Sequence, residues 1–302
     1  MLSIFINTTV PVFIIVLAGI VAARCGVMHA QSLARLSLYV LSPALVFSSL
    51  VNTSVTLSNI LRIGLSLLIL AIFTYLLGTL VCELLGVEPY TKSSYLLSTI
   101  LMNSGNFGLP VVLFAFGDEG LAVASIYFVI QSLLTNTLGV YIASRGMADP
   151  KSALMNTFKL PTLYAIVLAL PFLIFHFPLP QVVNRPIDLL GSAAIPILLL
   201  MLGAQLRLHL KAIISPLFVA ALITRLIVSP LLAYMVGRVM GLEGLILQVF
   251  VVESAMPTAV NTIMLATVFK SDTDFLSNVI AFSTLISMIS LTLLISLLGA
   301  TG

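Results

Sequence analysis

Apolar stretches near the length needed to cross a bilayer, roughly 20 residues, recur along this 302-residue chain with short polar punctuation between them. Turn residues and charges bound ten such stretches, over 7–24, 33–52, 62–84, 94–116, 121–143, 159–177, 187–206, 213–238, 245–269 and 275–299. Two of the ten are interrupted midway. Asn103-Ser-Gly-Asn-Phe-Gly-Leu-Pro110 divides the fourth, and Glu253-Ser-Ala-Met-Pro-Thr-Ala-Val-Asn261 divides the ninth. Hydrocarbon supplies no water to unpaired backbone groups, so a break there must face protein or a wet cavity. One break in each half of a membrane chain points to a central binding site between two halves.

The halves correspond at coarse resolution. Pro43 and Pro196 lie 153 residues apart in the second and seventh stretches, and Pro110 and Pro257 lie 147 apart in the fourth and ninth. The connection near 146–158 then separates a first unit, 1–145, from a second, 159–302. Five spans per unit is an odd number, so the second unit enters the membrane inverted. The expected fold is an all-α membrane protein of ten transmembrane helices, built as two inverted five-helix repeats. Helices 4 and 9 of that fold are broken.

Composition narrows the class. The chain is 60% hydrophobic and 8% charged, with a mean hydropathy of +1.22, against about 25% charged residues in an ordinary soluble domain. Its net charge of +3 comes from basic residues set singly at span ends, which argues for a lipid bilayer as partner and against nucleic acid. Nine of the 13 Lys and Arg residues fall in loops after odd-numbered spans, among them Arg24, Lys92, Arg145, Lys151 and Lys270. Only Arg62, Arg185 and Arg238 fall on the other side. The excess marks the first side as cytoplasmic and both termini as extracytoplasmic, in a plasma or inner membrane. Cys25 and Cys82 have neither a partner nor metal-ligand spacing. No basic segment precedes the first stretch, which reads as a retained span and not a cleaved signal.

The chemistry gathers at the breaks. A proline within a helix removes one hydrogen bond and displaces the carbonyl four residues back. Those carbonyls belong to Asn106 and Glu253, each of which also carries a polar side chain. Backbone, amide and carboxylate oxygens together suit a hard cation, while the amide ends of the following half-helices suit an anion. Gly105 and Gly108 give the first break its backbone freedom. Asn103, Asn106 and Asn261 cluster at the two breaks, although buried Asn also serves simply to join membrane helices. Glu253 is costly in lipid and must face the interior, ligating Na⁺, carrying a proton or pairing with Arg225. Arg225 sits mid-span in the eighth stretch, where it can bind a carboxylate or neutralise Glu253. Gln131, Asn136, Ser104, Thr135, Gln205 and Thr258 are further candidates for a cavity lining.

Asn103 to Pro110, the ten-span layout and the central connection resemble the auxin efflux carrier family, whose bacterial members include malonate and malate permeases. The resemblance covers nearly the whole chain. It implies a scaffold domain and a transport domain in which broken helices 4 and 9 are crossing at their breaks, with the organic anion held at that crossing by Asn106, Pro110 and Pro257, and a homodimer through the scaffold. Plant members have a much longer central loop. Glu253-Ser-Ala-Met256 is also distantly similar to a Glu-x-Gly-Met stretch of bile-acid sodium symporters, which implies Na⁺ at Glu253, Asn106 and Met256. Pro257 stands where that pattern has Gln.

The expected function is therefore secondary transport of small organic anions, mono- or dicarboxylates, coupled to Na⁺ or H⁺ or running as uniport. Binding residues would be Asn103, Asn106, Pro110, Pro257, Asn261 and Arg225. No cofactor is expected beyond such an ion. A channel or a membrane sensor built on the same repeat is the alternative. An intramembrane enzyme is disfavoured because the chain lacks His-Glu-x-x-His and has no deep His beside a Ser.

Overall fold

A computed structural model describes residues 1–52, 55–144, 158–175, 178–206 and 215–299. The first helices are α1 (Leu2–Arg24), α2 (Gln31–Val51) and α3 (Leu57–Leu84), followed by the short α4 (Pro89–Ile100). Next comes the long stretch Ser104–Ala143, divided into α5 (104–116) and α6 (118–143) by Gly117 at φ 67° and ψ −162°. Only glycine adopts that backbone conformation cheaply, so it makes the sharp reversal. The second half holds α7 (Pro161–Phe175), α8 (Gln181–Gln205), α9 (Pro216–Val239), α10 (Gly244–Ser254), α11 (Thr262–Val268) and α12 (Thr273–Leu297).

Among the described residues, seven helical stretches are long and apolar enough to cross a membrane, and α7 and α10 are shorter apolar helices. The chain is an all-α integral membrane protein. Among the described residues the sole strand-like pairing is one antiparallel bridge, Met102 to Thr258. Along α3, Leu57, Leu61, Leu65, Leu68, Ile72, Leu76 and Leu80 are exposed at near-helical spacing, the face that lipid solvates.

Helices begin earlier than charge punctuation places them. α3 starts at Leu57, where the Thr56 hydroxyl accepts the Asn59 N–H at 3.4 Å, and α4 starts at Pro89, the first helical position. Arg62 and Lys92 therefore lie inside helices, with stems long enough to carry their charges outward. Arg62 donates to the Gly241 carbonyl at 3.2 Å. The expected connection over 146–157 and the basic residues Arg145, Lys151, Arg207 and Lys211 lie outside the described residues.

Packing sorts the helices into two groups. In one, α8 packs on α1 and α2, and α7 packs on α2; in the other, α3, α4, α9, α10, α12 and the α5–α6 pair pack together, and the two meet where α8 touches the first break and α2 touches the α5–α6 pair. Neither group follows the sequence halves, since each draws helices from both. The α1–α8 crossing is close because of two glycines. A Cβ on Gly19 would lie 2.2 Å from the Leu200 carbonyl oxygen, and one on Gly203 would lie 2.0 Å from that of Val16.

Candidate functional site

Leu101–Asn103 and Ala255–Asn261, the unwound segments, lie against one another. The Asn103 N–H donates to the Pro257 carbonyl at 2.8 Å, and the Ala259 N–H donates to the Leu101 carbonyl at 2.9 Å. Two side-chain bonds complete the crossing. Thr258 Oγ1 donates to the Ser98 carbonyl at 2.7 Å, and its N–H donates to Ser283 Oγ on α12 at 3.2 Å. Backbone groups freed by each break are thus satisfied by the other, the condition for unwinding within an apolar surround.

The first break sits upstream of Pro110. Ser104–Gly108 forms one wide π-type turn, in which the Gly108 N–H reaches the Asn103 carbonyl at 2.9 Å. This wide turn runs directly into α-helix at Leu109, so Pro110 sits where the π-type turn gives way to α-helix, a place where the regular hydrogen-bond ladder is already interrupted. At the second break Pro257 does lie in the unwound stretch. The Glu253 carbonyl accepts the Met256 N–H at 3.2 Å, closing a turn where a free oxygen was expected.

Glu253 is fully buried, and neither carboxylate oxygen has a hydrogen-bond partner. Among the described residues the only ion pair within 4.0 Å joins Lys92 to Glu83, so Glu253 does not pair with Arg225. Its carboxylate rests on the first break: a Cβ on Gly108 would lie 2.3 and 2.7 Å from its two oxygens. The side-chain amide nitrogen of Asn103 is buried and unbonded, as are both polar atoms of Gln131 on α6. These five polar atoms are buried without internal partners, an arrangement that needs a reason in a native structure. Asn106 is half-buried and Asn261 is exposed at the start of α11, whereas Pro110, Met256 and Pro257 are buried.

Arg225, also fully buried, points to the crossing from a wide turn of α9, Thr224–Val228. Nη1 donates to the Thr99 carbonyl at 2.7 Å. Nη2 donates to Ser229 Oγ at 2.7 Å and to the Ser254 carbonyl. Ser229, Thr99 and Ser254 were not singled out in the sequence. Ser229 follows Arg225 by four residues, on the same helix face, and that spacing was the legible signal. Tyr127 was also missed; its hydroxyl lies 2.9 Å from Ser254 Oγ.

Asn136 bonds its own helix at the Ser132 carbonyl, 2.9 Å, and Thr135 does the same at Gln131, 2.9 Å. A cavity of about 910 Å³ lies apart from the crossing, between α1, α2, α8 and the turn from α5 to α6, with Leu113, Phe114, Asp118, Glu119 and Asp188 in its wall. It contains none of the expected binding residues but reaches α5 one turn beyond Pro110. Among the described residues no cluster of three or more His, Cys, Asp or Glu could hold a metal.

Apolar helices broken and paired in mid-chain fit a membrane transport protein, and the family and relatives that the chain matches are those of transporters, not enzymes. The family described as membrane transport protein matches residues 4–157 and 143–295. The chain belongs to that family, the auxin efflux carriers that the Asn103–Pro110 motif resembles. A protein of Methanocaldococcus jannaschii named as an uncharacterized transporter is 31% identical over 298 residues, covering 93% of this chain and 95% of its own. Another so named, from Methanothermobacter thermautotrophicus, is 28% identical and covers 95% and 96%. The uncharacterized transporter YfdV of Escherichia coli K12 is 25% identical, covering 89% and 90%.

Proposed function

We propose that this protein is a secondary transporter of small organic anions, mono- or dicarboxylates, that works by alternating access around the crossing of two broken helices. The observation that carries this reading is the reciprocal bonding of the breaks, Asn103 to Pro257 and Ala259 to Leu101. It leaves the buried Asn103 amide without a partner beside them. An unbonded N–H group at the start of a half-helix is a natural partner for a carboxylate. Asn103, Asn106 and Asn261, with Pro110 and Pro257 shaping the backbone, form the anion site in this reading. Arg225 is left out of it, because both terminal nitrogens are already engaged.

The ten-pass inverted repeat fits the same helices. α1 corresponds to α7, α2 to α8 and α3 to α9; α4 with α5 corresponds to α10 with α11, and α6 to α12. Both termini then face away from the cytoplasm. Glu253 carries the coupling ion, Na⁺ or H⁺: its two unbonded oxygens are the strongest acceptors near the crossing, with Met256 three residues on in sequence and Asn106 two residues before Gly108, on which the carboxylate rests. The cavity bearing Asp118, Glu119 and Asp188 favours the coupled form over uniport, since three carboxylates draw a cation inward.

Uptake of a carboxylate panel into proteoliposomes tests this. Asn106→Ala should abolish flux of the carboxylate that the unaltered protein carries. Unchanged flux in that variant would contradict the assigned site.

A further inference from the structure

We propose that Arg225 is a resident cation of the crossing, a positioning residue that holds the C-terminal ends of α4 and α10 together as an inorganic ion does elsewhere. Thr99 is the penultimate residue of α4 and Ser254 the last of α10. One fully buried guanidinium donates to the carbonyls of both. Each helix C-terminus carries about half a negative elementary charge, so two ends converging here present roughly one, which a single guanidinium balances. That balance explains why Arg225 needs no carboxylate partner at a depth where an uncompensated charge is costly.

The surroundings hold the guanidinium in place. Ser229 Oγ accepts from Nη2 at 2.7 Å and itself donates to the Ser254 carbonyl at 3.1 Å. Ser254 Oγ donates to the Phe250 carbonyl at 2.8 Å, which leaves its lone pair for the Tyr127 hydroxyl at 2.9 Å. One residue before Arg225, the hydroxyls of Thr224 and Tyr95 meet at 3.1 Å and tie α9 to α4. Transporters with discontinuous helices use half-helix C-terminal ends and unwound carbonyls to coordinate Na⁺. Here those ends are taken by a side chain that cannot leave, so the framework of the crossing is complete without an added ion and only Glu253 remains for an exchangeable one. That last step rests on the transporter reading; the bridging role does not.

Two measurements on the purified full-length protein test the bridge without any transport assay, so a protein that carried no anion would still report on it. In the first, thermal unfolding of Arg225→Met is compared with the unaltered protein in choline chloride and in millimolar guanidinium chloride at equal ionic strength. The variant should melt several degrees lower and regain most of that loss in guanidinium, while the unaltered protein does not respond. A variant with no deficit, or a deficit indifferent to guanidinium, overturns the proposal. In the second, Met102→Cys and Thr258→Cys are introduced with Cys25→Ser and Cys82→Ser, and disulfide formation across the bridge is timed. Arg225→Lys keeps the charge but loses the fork that reaches two helices at once. It should slow the cross-link about tenfold, as expected for losing one buried charge-assisted bond. Equal rates overturn the proposal even if Arg225→Met fails to fold.

Discussion

Glu253 and Arg225 are both fully buried, lie within a few residues of the same crossing and do not form an ion pair. Their separate environments explain their separate roles. Arg225 spends its terminal nitrogens on Thr99, Ser229 and Ser254, whereas the Glu253 oxygens have no donor and rest on Gly108. In the proposed reading that carboxylate holds the exchangeable cation. Glu253→Gln should therefore preserve carboxylate binding while removing the stimulation of proteoliposome flux by a Na⁺ or a H⁺ gradient; stimulation retained in that variant would contradict the assignment. The individual importance of these two residues was legible in the sequence, because charged residues at the centre of apolar spans are rare and expensive. Their partners were not. Two of the three Arg225 bonds end on backbone carbonyls, atoms that every residue carries and no side-chain pattern marks.

At the scale of elements, the crossing depends on α4 and α10 stopping short and on their ends bonding each other. Thr258 contributes twice, through Oγ1 to Ser98 and through its N–H to Ser283. Thr258→Val keeps the shape but leaves the buried Ser98 carbonyl without that donor, at a cost of about 1–3 kcal/mol. The expected result is a lower melting temperature than for Thr267→Val, whose exposed hydroxyl only bonds its own helix; equal melting temperatures would contradict the account. Existence of the breaks was legible because Gly, Pro, Asn and Glu interrupt otherwise apolar runs. Their exact position was not, since the wide turn Ser104–Gly108 joins the helix before Pro110 is reached and leaves the unwinding upstream, at Leu101–Asn103. Helix starts at Leu57 and Pro89 were misplaced for a related reason: Arg62 and Lys92 looked like boundaries, whereas caps and a first-turn proline set them.

Across the whole molecule, helices from both sequence halves share each packed group. That arrangement places the breaks at the inner face of one group, with the cavity of about 910 Å³ bordering α1, α2 and α8 of the other. Hydropathy alone revealed the membrane class, because lipid imposes long apolar stretches whatever the fold. The family resemblance implied two domains but not which helices form each; the packing of α8 on α1 and α2, and of α7 on α2, was not legible, since packing partners far apart in sequence leave no periodic signal. Asn261 offers the most direct test that the crossing is where the anion binds, because it is exposed at the start of α11. Asn261→Cys, in a background of Cys25→Ser and Cys82→Ser, should react with a maleimide. The account predicts that the transported carboxylate slows this labelling at the concentrations that half-saturate flux in the same variant, and labelling indifferent to saturating carboxylate would contradict it.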